Sequence, residues 1–295
     1  MKMVSSAKLH KAQGVIQSMI PYQKKLDSIL DKFVSTSAVA SKLVSSQNEN
    51  EKKIEVKKVA VVAFSSNSSL CGAYNSNIIK QLSQVVTSLE NGGISGKNVL
   101  CYPIGRKIEE ASKKMGLNVV SEIEYGENEK FALQTLAANP DYNKIKVLAK
   151  LLIDKFLIGI ANPSDSEGIQ KAVIIYHHFK SPGVQVVEHF DYLPIDLKNY
   201  EGESDNRQDG FYNDYIVEPS SEEVLEVLLP QVLIQKLYTC CIDSYASEHA
   251  ARTIAMQVAT DNADDLIQEL SLLYNKTRQQ AITAELLDIV AGTGK

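Results

Sequence analysis

Gln231–Val290 reads QVLIQKLYTCCIDSYASEHAARTIAMQVATDNADDLIQELSLLYNKTRQQAITAELLDIV, with no glycine, no proline and apolar residues at helical spacing throughout. At about 1.5 Å per residue this predicts a rod about 90 Å long. Globular helices ordinarily have only three or four turns. A chain of 295 residues cannot hide such a rod in a compact domain, so most of it must project and bury its stripe elsewhere. The rod carries the same three-and-four stepping at Ala259, Ala263, Leu266, Leu270, Leu273, Thr277, Ala281 and Ala284. A seam this rich in small residues lets a partner helix approach closely.

A partner is available at the other end of the chain. Ile16, Met19, Gln23, Leu26, Leu30, Phe33, Ser37, Ala40 and Val44 also step by three and four, which predicts a helix to about Val44 with a kink or break at Pro21. Residues 1–58 hold 11 Lys and 5 acidic residues, a net +6, whereas residues 219–295 hold 5 basic and 11 acidic residues, a net −6. Opposite charge favours pairing of the two ends over self-association. The hydrophilic stretch Ser45–Lys53 is the expected exit loop.

The middle of the chain alternates strand and helix. Val56–Phe64 is an apolar, β-branched run, and a helix follows at Asn75–Leu89. Asn98–Tyr102 is a strand with a helix at Ile104–Met115, and Leu117–Val120 is a short third strand. A helix at Lys146–Ile160, a strand at Lys171–Phe179 and an edge strand at Val184–Tyr192 complete the pattern. Asp196–Glu218 is a polar, acidic connector. The fold class is therefore α/β: a long antiparallel coiled coil of N- and C-terminal helices with an inserted Rossmann-like domain. The divisions are 1–55 for the first helix, 56–218 for the α/β domain and connector, and 219–295 for the second helix.

Chemistry is harder to find. The composition, 44% hydrophobic and 23% charged, belongs to a folded protein, and no uninterrupted apolar run approaches 18 residues. The start, MKMVSSAKLHKAQ, has no apolar leader core. Cys71, Cys101, Cys240 and Cys241 form no CxxC pair and read as reduced, partly buried thiols. NGGISGKN (Asn91–Asn98) misses the first glycine and the Ser/Thr of a phosphate loop and precedes a strand, so it reads as a turn. DNRQDG (Asp205–Gly210) places Arg207 at a calcium-ligand position and Ile216 where the bidentate Glu belongs. His177 and His178 are neighbours on a strand and point to opposite faces, one packed and the other exposed. Cys71 follows a strand but has no identifiable base. Basic residues of the first helix are dispersed, and the pI of about 5.6 argues against nucleic acid. No catalytic group, cofactor or metal is expected.

One segment names a family. Tyr245–Val290, with ASE-AAR, AM-ATDNA, LYNK-RQ-AIT and EL-IV in order, resembles the C-terminal helix of the gamma subunit of F-type ATP synthases. Leu70–Asn75 (LCGAYN) with Asn77, Met1–Gln13 with KMV, AK and KAQ, and Pro21–Tyr22 are similar to the same family. The resemblance implies a rotor shaft coupling ion translocation to ATP synthesis or hydrolysis. It implies a coil inside a ring of alpha and beta subunits, and a foot binding the epsilon subunit and the c-ring. It also implies a non-catalytic, peripheral subunit at the cytoplasmic face of a bacterial plasma membrane. By motif, Lys8, Lys11, Arg252, Arg278, Gln279, Thr283 and Glu285 are then subunit contacts, or stabilise the coil. Asn67, Ser68 and Ser69 replace the family's Asp, Arg and Gly, which puts that loop's contacts in question. His10 replaces a usual Arg. The family's first helix begins further upstream, so Tyr274–Val290 is expected to lack a partner here. A non-rotary coiled-coil scaffold, or an α/β enzyme with a helical dimerisation arm, would also explain the rod, but not the sequence LYNKTRQQAIT.

Overall fold

Val59–Phe64 (VAVVAF) carries no polar side chain and is buried at every position, as a central parallel strand covered on both faces must be. It is β1 of the computed structural model, which describes residues 2–36, 56–125, 129–162, 167–195, 218 and 220–293. The seam positions Ser37, Ala40 and Val44, the exit loop and nearly all of the acidic connector, including Asp205–Gly210, lie outside the described residues. β1 is flanked in parallel by β2 (Val99–Ile104) and β6 (Lys171–Ser181). β3 (Asn118–Val119) adds in parallel outside β2, and β7 (Val184–Leu193) closes the other edge antiparallel to β6. The order β3-β2-β1-β6-β7 is the expected mostly parallel sheet with its last strand at an edge.

Strand alternation sends successive residues to opposite faces. Val59, Val61, Ala63, Val99, Cys101, Val173 and Ile175 meet α2 (Tyr74–Asn91) through Ile78, Leu82, Val85 and Val86 and α3 (Arg106–Lys114) through Ile108. Ala60, Val62, Phe64, Tyr102, Ile104 and Ile174 form the other core. That second face is covered by α5 (Tyr142–Ala161) and by the two terminal helices, α1 (Lys2–Thr36) and α6 (Ser221–Thr293). Leu225, Leu229, Val232, Leu233, Leu237 and Cys241 of α6 and Leu26 and Leu30 of α1 are part of this core. The lower rod is thus the helical layer of the α/β domain, and only the upper part projects.

α1 continues past Pro21 to Thr36 rather than breaking there, while α6 begins at Ser221, within the 219–295 span expected for it, and passes through Pro230. A hairpin of β4 (Glu122–Tyr125) and β5 (Glu129–Ala132), followed by α4 (Gln134–Ala138), fills a region to which the sequence reading assigned no element. Its two strands are four residues each and half charged, so only Ile123, Tyr125 and Phe131 give an apolar signal. Finally, part of α6 is apolar and long enough by composition to cross a membrane, although 56% of that window is buried inside the fold. Interior burial accounts for its apolar character here.

Candidate interaction surface

α1 and α6 run antiparallel, and small residues set their closeness. Ala12 of α1 meets Ala246 and Ala250 of α6, with Leu9 beside them. Thr239 Oγ1 donates to Gln23 Oε1 at 3.3 Å lower down, and Lys2 Nζ donates to Gln257 at the top. The close seam therefore lies at 246–250, one stretch below the Ala259–Ala284 seam that the periodicity suggested. From Val258 to Gly292 every residue of α6 is exposed. Stepping by three and four fixes a helix face but not the axial register, and α1 reaches only to Gln257. The exposed length includes Tyr274–Val290 and begins well before it.

Where the rod meets the sheet, polar side chains replace the apolar core. β6 extends beyond the end of β1, carrying His177 and His178 past Ile175, the last residue paired to β1. His178 Nδ1 lies 2.8 Å from Asp243 of α6. The backbone N–H of His177 donates to Ser244 Oγ, and Ser247 Oγ donates to the His177 carbonyl. The His177 ring is buried and stacks on Tyr74 at 4.0 Å between centroids, while Tyr74 Oη donates to the Ser244 carbonyl. The two histidines do point apart, one packed and one partly exposed. Burial lowers the His177 pKa to about 4 and, with help from Arg252 and Lys8, that of His249 to about 4.

The loop from β1 to α2 is tied to the same junction. Asn67 Oδ1 accepts from the Arg106 N–H at the start of α3, and Asn67 Nδ2 donates to the Gln134 carbonyl. Ser65 Oγ accepts from the Ile108 N–H, and Gly105, at φ +122°, lies so close that a Cβ there would collide with the Ser65 carbonyl. Ser66 shares hydrogen bonds with Asn75, whose Nδ2 also reaches Cys71 Sγ at 3.1 Å. Cys71 is buried in this network. Leu70 is 68% exposed and sits at φ +70°, a left-handed conformation that costs a non-glycine residue about 1–2 kcal/mol.

Arg252 joins loop to rod. Its side chain donates to Glu248 Oε1 at 2.6 Å and to Ser68 Oγ at 2.9 Å, and the residue is only 9% exposed. Ser68, one of the three positions that depart from the family's loop, thus gains an anchor on α6. Burial raises the Glu248 pKa, and Arg252 opposes the shift. Burial likewise raises that of Asp243 against the pull of His178. Of the other residues named from the sequence, Lys8 and Lys11 lie exposed on α1. Arg278, Gln279, Thr283 and Glu285 lie exposed on the projecting part of α6, with Thr283 Oγ1 bonding the Gln279 carbonyl. Arg252 is separated from that group and turned inwards. Sequence reading passed over Glu248 and Asp243, and named Ser68 only as a departure from the family's loop. The i, i+4 spacing of Glu248 and Arg252 was the one signal available.

A sequence-family model described as ATP synthase matches residues 1–294. A Bacteroides fragilis protein named ATP synthase gamma chain is 51% identical over 293 residues, spanning 99% of this chain and 91% of its own length. A Bacteroides thetaiotaomicron protein of the same name is 47% identical over 299 residues, with coverages of 99% and 92%. Among solved structures, a chain of the Tetrahymena thermophila mitochondrial ATP synthase central stalk and c-ring superposes with TM-score 0.52 at 18% identity. That match covers 88% of this chain and 97% of the other, and shows a shared fold.

Proposed function

The chain belongs to the ATP synthase gamma-chain family, and from that premise we infer how its rod and foot perform the work of a central rotor stalk. It couples ion translocation in the membrane sector to ATP synthesis or hydrolysis by rotation. The observation that carries this reading is the exposed length of α6 from Val258 to Gly292, roughly 50 Å of helix. Leu266, Ile267, Leu270, Leu273, Tyr274, Leu286 and Val290 on it are all more than half exposed, so it requires a socket. In this proposal the socket is the ring of alternating alpha and beta subunits, while the sheet and lower rod form the foot that engages the epsilon subunit and the c-ring. The chain supplies no catalytic group and acts as a subunit of a membrane-bound complex, at its cytoplasmic face.

A shaft shifts a nucleotide site only if it binds that site's open and closed forms differently. The exposed rod carries the charged side chains that such contacts use. Asp261, Asp264, Asp265 and Glu269 precede Lys276 and Arg278, and Glu285 and Asp288 follow. We assign Lys8 and Lys11 on α1 and Arg278, Gln279, Thr283 and Glu285 on α6 as the contacts that turn rotation into affinity differences. Arg252 instead braces the loop against the rod, so that torque reaches the foot. The test is purification from membranes with a tagged chain. One copy should emerge per three alpha and three beta subunits, and Arg278→Ala should lower coupled ATP synthesis without dissociating the complex. A homodimer with activity of its own would overturn the reading.

A further inference from the structure

β6 outruns its neighbour β1. The parallel pairing ends at Ala63 and Ile175, yet β6 continues beside β7 to Ser181. Three consecutive residues of this overhang meet the rod, each in a different way. The His177 N–H donates to Ser244 Oγ and its carbonyl accepts from Ser247 Oγ, both at 3.3 Å. His178 Nδ1 lies 2.8 Å from Asp243. Phe179 packs on the coil itself, against the cluster of Leu9 and Ala12 of α1 with Ala246 and Ala250 of α6. Ser244 and Ser247 are 3% and 0% exposed, so water competes for neither hydroxyl.

The place of these contacts gives them their importance. Below them, α6 lies on the sheet through apolar side chains from Leu225 to Cys241. Above them the rod projects, and from Val258 to Gly292 it is exposed throughout. A projecting beam bears its largest bending load where it leaves its support. Apolar burial is non-directional, whereas hydrogen bonds hold atoms to a narrow range of distance and angle. The two serine hydroxyls engage the His177 peptide groups where β1 no longer runs beside them, and so register the helix to the strand. Alanine would suit a buried helical position better by propensity, but would leave those peptide groups unsatisfied. Tyr74 closes the joint from the side of α2, stacking on the His177 ring at 4.0 Å and donating through Oη to the Ser244 carbonyl.

We propose that His177–Phe179 is a collar that fixes the angle at which the rod leaves the foot, with Ser244, Ser247 and Asp243 as positioning residues for rotary coupling. The proposal rests on the rotor reading, in which the far end of the rod must meet each site of the ring in a set orientation. Over an exposed length of roughly 50 Å, about 5° of play at the root moves the tip by about 4 Å. That displacement is as large as the contacts the tip has to make. The Arg252–Ser68 bond ties a loop to the rod, whereas the collar ties the sheet to it.

The experiment places spin labels on the full chain at Lys80→Cys of α2 and Glu269→Cys of the rod, both exposed positions, while the four native thiols are buried. Dilution with unlabelled chain restricts the measured distances to one molecule. Ser244→Ala and Ser247→Ala together should broaden the distance distribution and speed amide exchange at His177 about tenfold. Asp243→Ala should broaden it as well, which decides the matter if the serine variant does not fold. Asp243→Asn still offers an oxygen to His178 Nδ1 and should keep the distribution narrow. In the reconstituted complex with the ring fixed, a bead on the foot should show a wider angular spread at each pause in the serine variant, with the number of pauses per turn unchanged. A folding defect would instead reduce the number of turning complexes and leave the spread alone. An unbroadened distance distribution overturns the collar whatever the chain's function. A broadened distribution with an unchanged angular spread overturns its part in coupling. Failure to assemble with the ring, beside a broadened distribution, would overturn the rotor reading and leave the collar standing as a property of the fold.

Discussion

Glu248 and Arg252 face each other one helical turn apart in a site that water barely reaches. A buried ion pair contributes little compared with well-packed apolar residues, but removing one partner strands the other's charge. Arg252→Met should therefore destabilise the fold by about 3–5 kcal/mol, measured by urea unfolding. The double variant Glu248→Leu, Arg252→Met should recover much of that loss. If the two single losses simply add, the residues are not coupled. The buried histidines set a pH dependence whose sign is definite. His177 and His249 are held near pKa 4 when folded, against an ordinary value of 6.5. Below pH 6.5 the unfolded chain takes up protons that the folded chain refuses, so stability falls as pH drops from 6.5 towards 4. Each should cost roughly 2 kcal/mol by pH 5. Around His249 stand Arg252, Lys8 and Glu248, and around His177 stand Tyr74 and the two serines of α6. Glu248 and Asp243, with raised pKa values, protonate in the folded state first and offset part of this loss. Proton NMR should show both imidazoles neutral at pH 5.5, and titration near pH 6.5 would contradict their burial.

At the level of elements, the coil depends on three alanines. Ala246 and Ala250 are almost completely buried against Ala12, and no larger side chain fits without moving a helix. Ala250→Leu should cost about 1–3 kcal/mol and lower the melting temperature, whereas Ala263→Leu, on the exposed rod, should not. Truncation after Gln257 should leave the melting temperature of the remaining fold essentially unchanged, because every residue from Val258 to Gly292 is exposed. A large drop would mean that the exposed rod folds back. The same elements show what was legible beforehand. The rod could be read because a sixty-residue run without glycine or proline admits only one local structure. β1 could be read because its residues are apolar on both faces, β6 because Ala172–Ile175 is an apolar, β-branched run, and β7 because it alternates. The β4–β5 hairpin could not, since Glu122, Glu124, Glu129 and Lys130 mask its three core residues. Nor could the axial register of the coil, because the three-and-four pattern continues along α6 beyond the point where α1 ends. Motif resemblance grouped Arg252 with the outward-facing contacts. Its inward turn depends on Ser68, which comes from a loop 184 positions away in sequence. Periodicity holds no information about such a neighbour.

For the molecule as a whole, the decisive imbalance is between a foot with a closed core and a rod with an open one. Burying a Leu or Ile side chain fully is worth about 1.5–3 kcal/mol. The rod exposes Leu266, Ile267, Leu270, Leu272, Leu273, Ile282, Leu286, Leu287 and Ile289. Covering even half of that surface outweighs much of the roughly 4–15 kcal/mol cost of bringing two molecules together. The isolated chain should therefore self-associate through Val258–Gly292, against the mutual repulsion of six acidic residues on that segment and only two basic ones. Screening by salt removes the repulsion and leaves the apolar attraction intact. Sedimentation velocity should then show association that strengthens with protein concentration and from low to high salt. The same chain truncated after Gln257 should remain monomeric throughout. Association that weakens with salt would place the contact at the oppositely charged ends instead, with the basic α1 of one copy on the acidic α6 of another. Loss of self-association when alpha and beta subunits are added in stoichiometric amounts would show that the ring and the second copy compete for one surface, the surface the rotor uses.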